Sequence, residues 1–141
     1  MRETTRRRFM VVGALAFAAI DARALRAASD TDRRFAAEAE RMRQAALAAG
    51  DQPFGAVVVK DGVIVGWGAS RVISDRNPDA HAERVALWDA QKKLATVSLS
   101  GAVIYSTFRP CAACQNALAK AGFASMRVGP DAADAGPPRT W

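Results

Sequence analysis

One histidine and two cysteines are all that 141 residues contain, and their placement constrains the fold more than any other feature. His81 opens the run His81-Ala82-Glu83, and the cysteines sit in Pro110-Cys111-Ala112-Ala113-Cys114. Zn²⁺ favours nitrogen and sulfur ligands in a tetrahedral shell, and three protein ligands leave one position for water. Two thiolates and a neutral imidazole balance the charge of the ion, while water in the remaining position loses a proton near pH ~7 instead of ~15.7. Glu83, two residues from His81, is then the expected general acid/base. A chain that uses this set must fold so that two distant motifs meet at one point.

The hydrophobic pattern says which elements bring them there. Ser29 to Asp32 offers N-cap candidates for a helix to about Ala49, with Phe35, Ala39, Met42, Ala46 and Ala49 at helical spacing and Gly50 as the stop. The β-branched runs 54–60 and 63–67 flank Asp61-Gly62, a type I′ hairpin signal. A second helix is expected over about Ala80 to Leu94 with Val85, Leu87 and Trp88 inward. A strand over 102–107, a helix over 111–122 and a strand over 125–128 follow. This order predicts a mixed sheet with helices on both faces, a three-layer α/β/α sandwich. Both motifs then fall at helix N-termini, whose positive ends favour thiolate over thiol and steady negative charge on a substrate. Pro110 suits the first turn of such a helix.

The N-terminus carries a different message. Thr5-Arg6-Arg7-Arg8-Phe9-Met10 precedes an apolar run from Phe9 to Ile20, which reads as a twin-arginine export signal. Its 12 residues fall short of the ~20 that a spanning helix needs. Ala22-Arg23-Ala24 has the small-x-small pattern of a cleavage site, so residues 1–24 are expected to be the signal and 25–141 the mature domain, exported to the periplasm without a membrane span. An exposed basic arm with a short buried helix is the alternative. Without residues 1–24 the chain keeps 15 basic and 12 acidic residues, net +3 against +6 for the whole. No dense basic stripe remains, so nucleic acid is not the favoured partner.

From Pro53 to about Gly129 the chain resembles the cytidine deaminase superfamily, in particular the small single-domain branch of guanine, cytosine and tRNA adenosine deaminases. The stretches PFGAVVVKDGVIVGWG, NPDAHAE and PCAAC carry the likeness, and H-x-E followed by P-C-x-x-C is the signature of zinc deaminases acting on nucleobases. The resemblance implies the deaminase-like α/β/α fold, Zn²⁺ on His81, Cys111 and Cys114, and hydrolytic deamination with Glu83 as proton shuttle. It marks Ser70, Ala82, Phe54 and Arg109 as candidate substrate contacts. Ser70 stands where relatives commonly place an asparagine on the base, and Arg109 where they often carry an acid. Phe54 and Phe108 would frame the ring, and Arg71, Arg76 and Arg109 near the mouth would attract an anionic substrate. Guanine deaminases close the pocket with a longer C-terminal segment, whereas Gly136-Pro137-Pro138 excludes a regular helix here. A small-molecule base or nucleoside, of guanine or cytosine type, ranks first as substrate, then a nucleotide, then tRNA. A homodimer is expected. Two rival readings are a thiol-disulfide oxidoreductase that pairs Cys111 with Cys114, and a deaminase fold that binds without turnover.

Overall fold

Asp61 and Gly62 both take positive φ, 51° and 75°, as a type I′ turn requires. They join β1 (Gly55–Lys60) to β2 (Val63–Ala69), paired antiparallel from Gly55 opposite Ala69 to Lys60 opposite Val63 with one irregularity between Val58 and Val59. β3 (Val103–Ser106) lies antiparallel on the other side of β1, β4 (Ser125–Val128) runs parallel to β3, and a two-residue β5 (Ala133–Asp134) closes the edge antiparallel to β4. The sheet order is β2-β1-β3-β4-β5. The structure, a computed structural model, describes the backbone of residues 12–141 and side chains from Ser29 onward.

Helix α1 (Val12–Ala48) covers one face of the sheet with its C-terminal half, while α2 (Ala82–Leu94) and α3 (Ala112–Lys120) cover the other. The two-residue alternation of a strand divides the core accordingly. Val57, Val59 and Tyr105 pack with Ala36 and Ala39 of α1. Ala56, Val58, Ile104 and Met126 pack with Ala82, Ala86, Leu87 and Leu118. This is the expected three-layer α/β/α arrangement with a mixed sheet. Close approach depends on glycine at three strand positions, Gly55, Gly66 and Gly68. A Cβ on Gly55 would overlap the backbone of Ala39 and Arg43, and one on Gly68 the carbonyl oxygen of Ala82. The last of these lets the start of α2 rest directly on β2.

Several expectations need correction. The first helix does not begin at Ser29–Asp32 but runs through it from Val12, because the alanine-rich stretch before Ser29 has high helix propensity and nothing to break it. Val85 is half-buried and Trp88 is 40% exposed. α2 rests mainly on the edge strand β2, so no further layer covers that side, and Arg84 stacks over the Trp88 ring at 5.9 Å instead. Pro110 precedes the N-cap of α3 rather than occupying its first turn. The short β5 had no sequence signal.

The chain divides into two units, Met1–Thr31 and Asp32–Trp141; the site below belongs to the second. The Arg6-Arg7-Arg8 motif lies outside the described residues. Among the described residues no helix is long and apolar enough to cross a membrane.

Candidate metal centre

His81 and Cys111 are the N-cap residues of α2 and α3, both with extended backbone (φ −62°, ψ 151° and φ −66°, ψ 168°). An N-cap side chain normally accepts from the first free N–H groups of its helix. His81 makes no such bond, so its ring is available for another task. Cys111 does both: its Sγ accepts from the Cys114 N–H at 3.4 Å and lies 3.6 Å from His81 Nδ1. Cys114 Sγ lies 3.4 Å from the same nitrogen, and the three ligand atoms fall within 4.8 Å of one another. A tetrahedral centre with Zn–S about 2.3 Å and Zn–N about 2.0–2.1 Å has N···S edges of about 3.5 Å. Both observed N···S separations match that edge, so the donor set fits zinc in kind, number and spacing.

The ligands differ in environment. Cys111 is exposed and Cys114 buried, and both thiols are free. Burial, then the nearby Glu83 carboxylate, pushes the Cys114 thiol well above its ordinary value. That sulfur becomes a thiolate by giving its proton up to an arriving cation, which couples metal uptake to pH. Two helix N-termini converge beside it and favour negative charge.

Glu83 occupies the first turn of α2, 5% exposed, and its Oε1 accepts a 2.8 Å hydrogen bond from the Ser106 hydroxyl on β3. The strand thus orients the carboxylate. Gln52, Phe54, His81, Glu83, Phe108, Arg109 and Cys111 line a cleft of about 150 Å³. Phe54 and Phe108 meet edge to face there, centroids 5.5 Å apart. Below Phe54, Thr107 ties the end of β3 to Gly55 at both its N–H and its carbonyl.

The sequence-expected residues therefore divide. His81, Glu83, Cys111, Phe54 and Arg109 face one cleft and Cys114 completes the ligand set behind it. Ala82 is buried in the core at the start of α2. The Ser70 hydroxyl donates to Asp51 Oδ1 at 3.0 Å, 2% exposed, and the residue is not among those lining the cleft. Arg71 pairs with Asp75 at 2.9 Å and is likewise absent from the lining. Sequence reasoning missed Gln52, Ser106 and above all Asp51. The Asp51 carboxylate accepts from the Gln52, Ile73 and Ser74 N–H groups and from the Ser70 and Ser74 hydroxyls, gathering the loop that delivers His81. Burial raises its pKa, but the Ser74, Gln52 and Ser70 hydrogen bonds outweigh this and hold it well below the usual carboxylate range. An acid just after a helix stop was its only signal.

Comparison with known proteins agrees with this geometry. The cytidine and deoxycytidylate deaminase zinc-binding region matches residues 29–129. The chain is 41% identical over 66 residues to the guanine deaminase of Bacillus subtilis (strain 168), covering 47% of this chain and 42% of that protein. It is 39% identical over 69 residues to the tRNA-specific adenosine deaminase of Aquifex aeolicus (strain VF5), covering 49% and 46%. It thus spans less than half the length of these relatives. The crystal structure of the B. subtilis guanine deaminase superposes with a TM-score of 0.60 at 33% identity, over 67% of this chain and 64% of that one.

Proposed function

Because the chain belongs to the cytidine and deoxycytidylate deaminase family, we propose that it is a zinc-dependent hydrolytic deaminase of a nucleobase or nucleoside, with guanine or cytosine the favoured type. The observation that carries this reading is the buried Glu83 carboxylate facing the cleft beside a His81/Cys111/Cys114 set spaced for tetrahedral zinc. His81, Cys111 and Cys114 would hold the zinc, which would supply water that ionises near pH ~7 rather than ~15.7.

The remaining work falls to the chain. Phe54 and Phe108 offer flat apolar surfaces for a heterocycle, and the cleft of about 150 Å³ suits a single ring system. Glu83, held at Oε1 by Ser106, takes a proton from the attacking water and places it on the ring nitrogen next to the amino-bearing carbon. It then carries the second water proton to the amino group. A C–O bond forms, the C–N bond breaks, and ammonia departs. The helix N-termini steady the negative charge that builds on oxygen.

Ammonia release from a panel of bases, nucleosides and nucleotides by zinc-loaded protein tests the reading. Release from guanine or cytosine compounds supports it; zinc bound at one equivalent with no release from any compound refutes it. Export by the twin-arginine route belongs to the same proposal, supported by Arg6-Arg7-Arg8 ahead of an apolar run. Replacing Arg6-Arg7 and Arg7-Arg8 with paired lysines should leave the protein in the cytoplasmic fraction. A homodimer, expected from the resemblance, is checked by light scattering at micromolar concentration.

A further inference from the structure

Gln115 directly follows the second metal-ligating cysteine and is 3% exposed. A long amide there must satisfy its polar atoms within the protein, and it does so on two sides. Its Nε2 donates to the Pro110 carbonyl at 2.9 Å, and its Oε1 accepts from the Arg139 N–H at 3.2 Å. Its own backbone N–H bonds the Cys111 carbonyl at 2.9 Å. One residue therefore grips the carbonyls on either side of the Cys111 Cα. Next to it, Asn116 Oδ1 accepts from the Trp141 N–H at 2.7 Å. Two consecutive amides of α3 thus hold the segment 139–141, which arrives from Pro137-Pro138 with φ already restricted.

Cys111 needs such support more than its partners do. Cys114 is locked in the core and His81 follows the loop gathered by Asp51, whereas Cys111 is exposed and its sulfur has one long hydrogen bond within its own turn. The cleft lining includes no residue from the tail. Residues 139 and 141 reach the site's elements through Gln115 and Asn116 of α3.

We propose that Gln115 is a positioning residue that aims Cys111 at the metal, and that residues 139–141 form a strap bracing Gln115 from behind. Outer partners of metal ligands set affinity by fixing ligand direction, with losses of about 10–100-fold on removal. Gln115→Met keeps length and loses both side-chain bonds. Gln115→Glu keeps the acceptor for Arg139 but presents no donor to Pro110. Arg139→Pro removes only the strap's N–H, at a position that already follows two prolines, and Arg139→Lys retains it.

Zinc affinity by chelator competition, read beside the thermal midpoint of the metal-free protein, separates positioning from general stability. Gln115→Met and Gln115→Glu should weaken zinc binding about 10–100-fold. Arg139→Pro should weaken it several-fold and add nothing to Gln115→Met, while Arg139→Lys should match the wild type. Zinc affinities within twofold of wild type for both Gln115 variants would overturn the proposal, as would a lowered metal-free midpoint with unchanged affinity. Should the Gln115 variants fail to fold, wild-type affinity in Arg139→Pro overturns it alone. Wild-type protein that takes up no zinc would instead sink the metal reading on which this one rests.

Discussion

At the scale of single residues the site is a division of labour between charge and position. Glu83→Gln retains the shape and the Ser106 contact yet cannot accept a proton, so turnover should fall by about 10²–10⁴-fold while zinc content, measured by atomic absorption, stays near one equivalent. Loss of zinc in this variant would show that Glu83 serves the metal rather than the reaction. The raised Cys114 thiol sets the sign of the pH effect. Its proton must leave before the metal binds, so zinc affinity should climb as pH rises and decline toward acid, with proton release visible by calorimetry in two buffers of different ionisation enthalpy. Arg109 has no acidic partner among the described residues, in contrast to Arg71, Arg84 and Lys93, which pair with Asp75, Asp79 and Asp89. Arg109→Ala should therefore raise KM more for a nucleotide than for the matching nucleoside. The ligands were legible in the sequence because His-x-Glu followed by Pro-Cys-x-x-Cys matches the zinc deaminase signature. Asp51 and Ser106 were not, since each acts through hydrogen bonds to residues distant in the chain, and Gln52 was not, since only the folded cleft brings it beside His81.

Among the elements, the hairpin was the most readable, because only a residue pair tolerant of positive φ fits its turn and Asp-Gly is that pair. The start of α1 was unreadable for the opposite reason: Ser29 to Asp32 can cap a helix but equally can continue one. Burial of Trp88 and Val85 failed because helical spacing identifies a face without telling whether the sheet extends beneath it. Gly68 is where elements press closest. Gly68→Ala should cost about 1–3 kcal/mol by overpacking against Ala82, read as a lower denaturation midpoint, and should displace His81 along with the helix start. The loop that delivers His81 depends on Asp51. Because that carboxyl is held below its unfolded pKa of ~3.9, its stabilisation is complete above that pH and drains away as pH falls through and below it. Denaturation midpoints of metal-free protein should therefore drop in acid by less in Asp51→Asn than in wild type, and the variant should be weaker by about 1–3 kcal/mol at neutral pH.

For the molecule as a whole, three layers supply a rigid frame and the ion joins parts of it that the backbone leaves separate. A ligand bound at a hundred times its dissociation constant adds about 2.7 kcal/mol to stability. Stripping zinc with a chelator should then lower Tm by about 10 °C, given some 4 °C per kcal/mol for a unit of this size; an unchanged Tm would mean that the sulfurs hold nothing. The sulfur of Cys111 is at once helix cap, ligand and solvent-facing thiol, whereas its neighbour four-fifths of a turn on is sealed inside. Electrophiles and peroxides will find the first and miss the second, so a single adduct of iodoacetamide, blocked by prior metal loading, is what mass spectrometry should record. A site built this way meets oxidants first at one atom, the Cys111 sulfur.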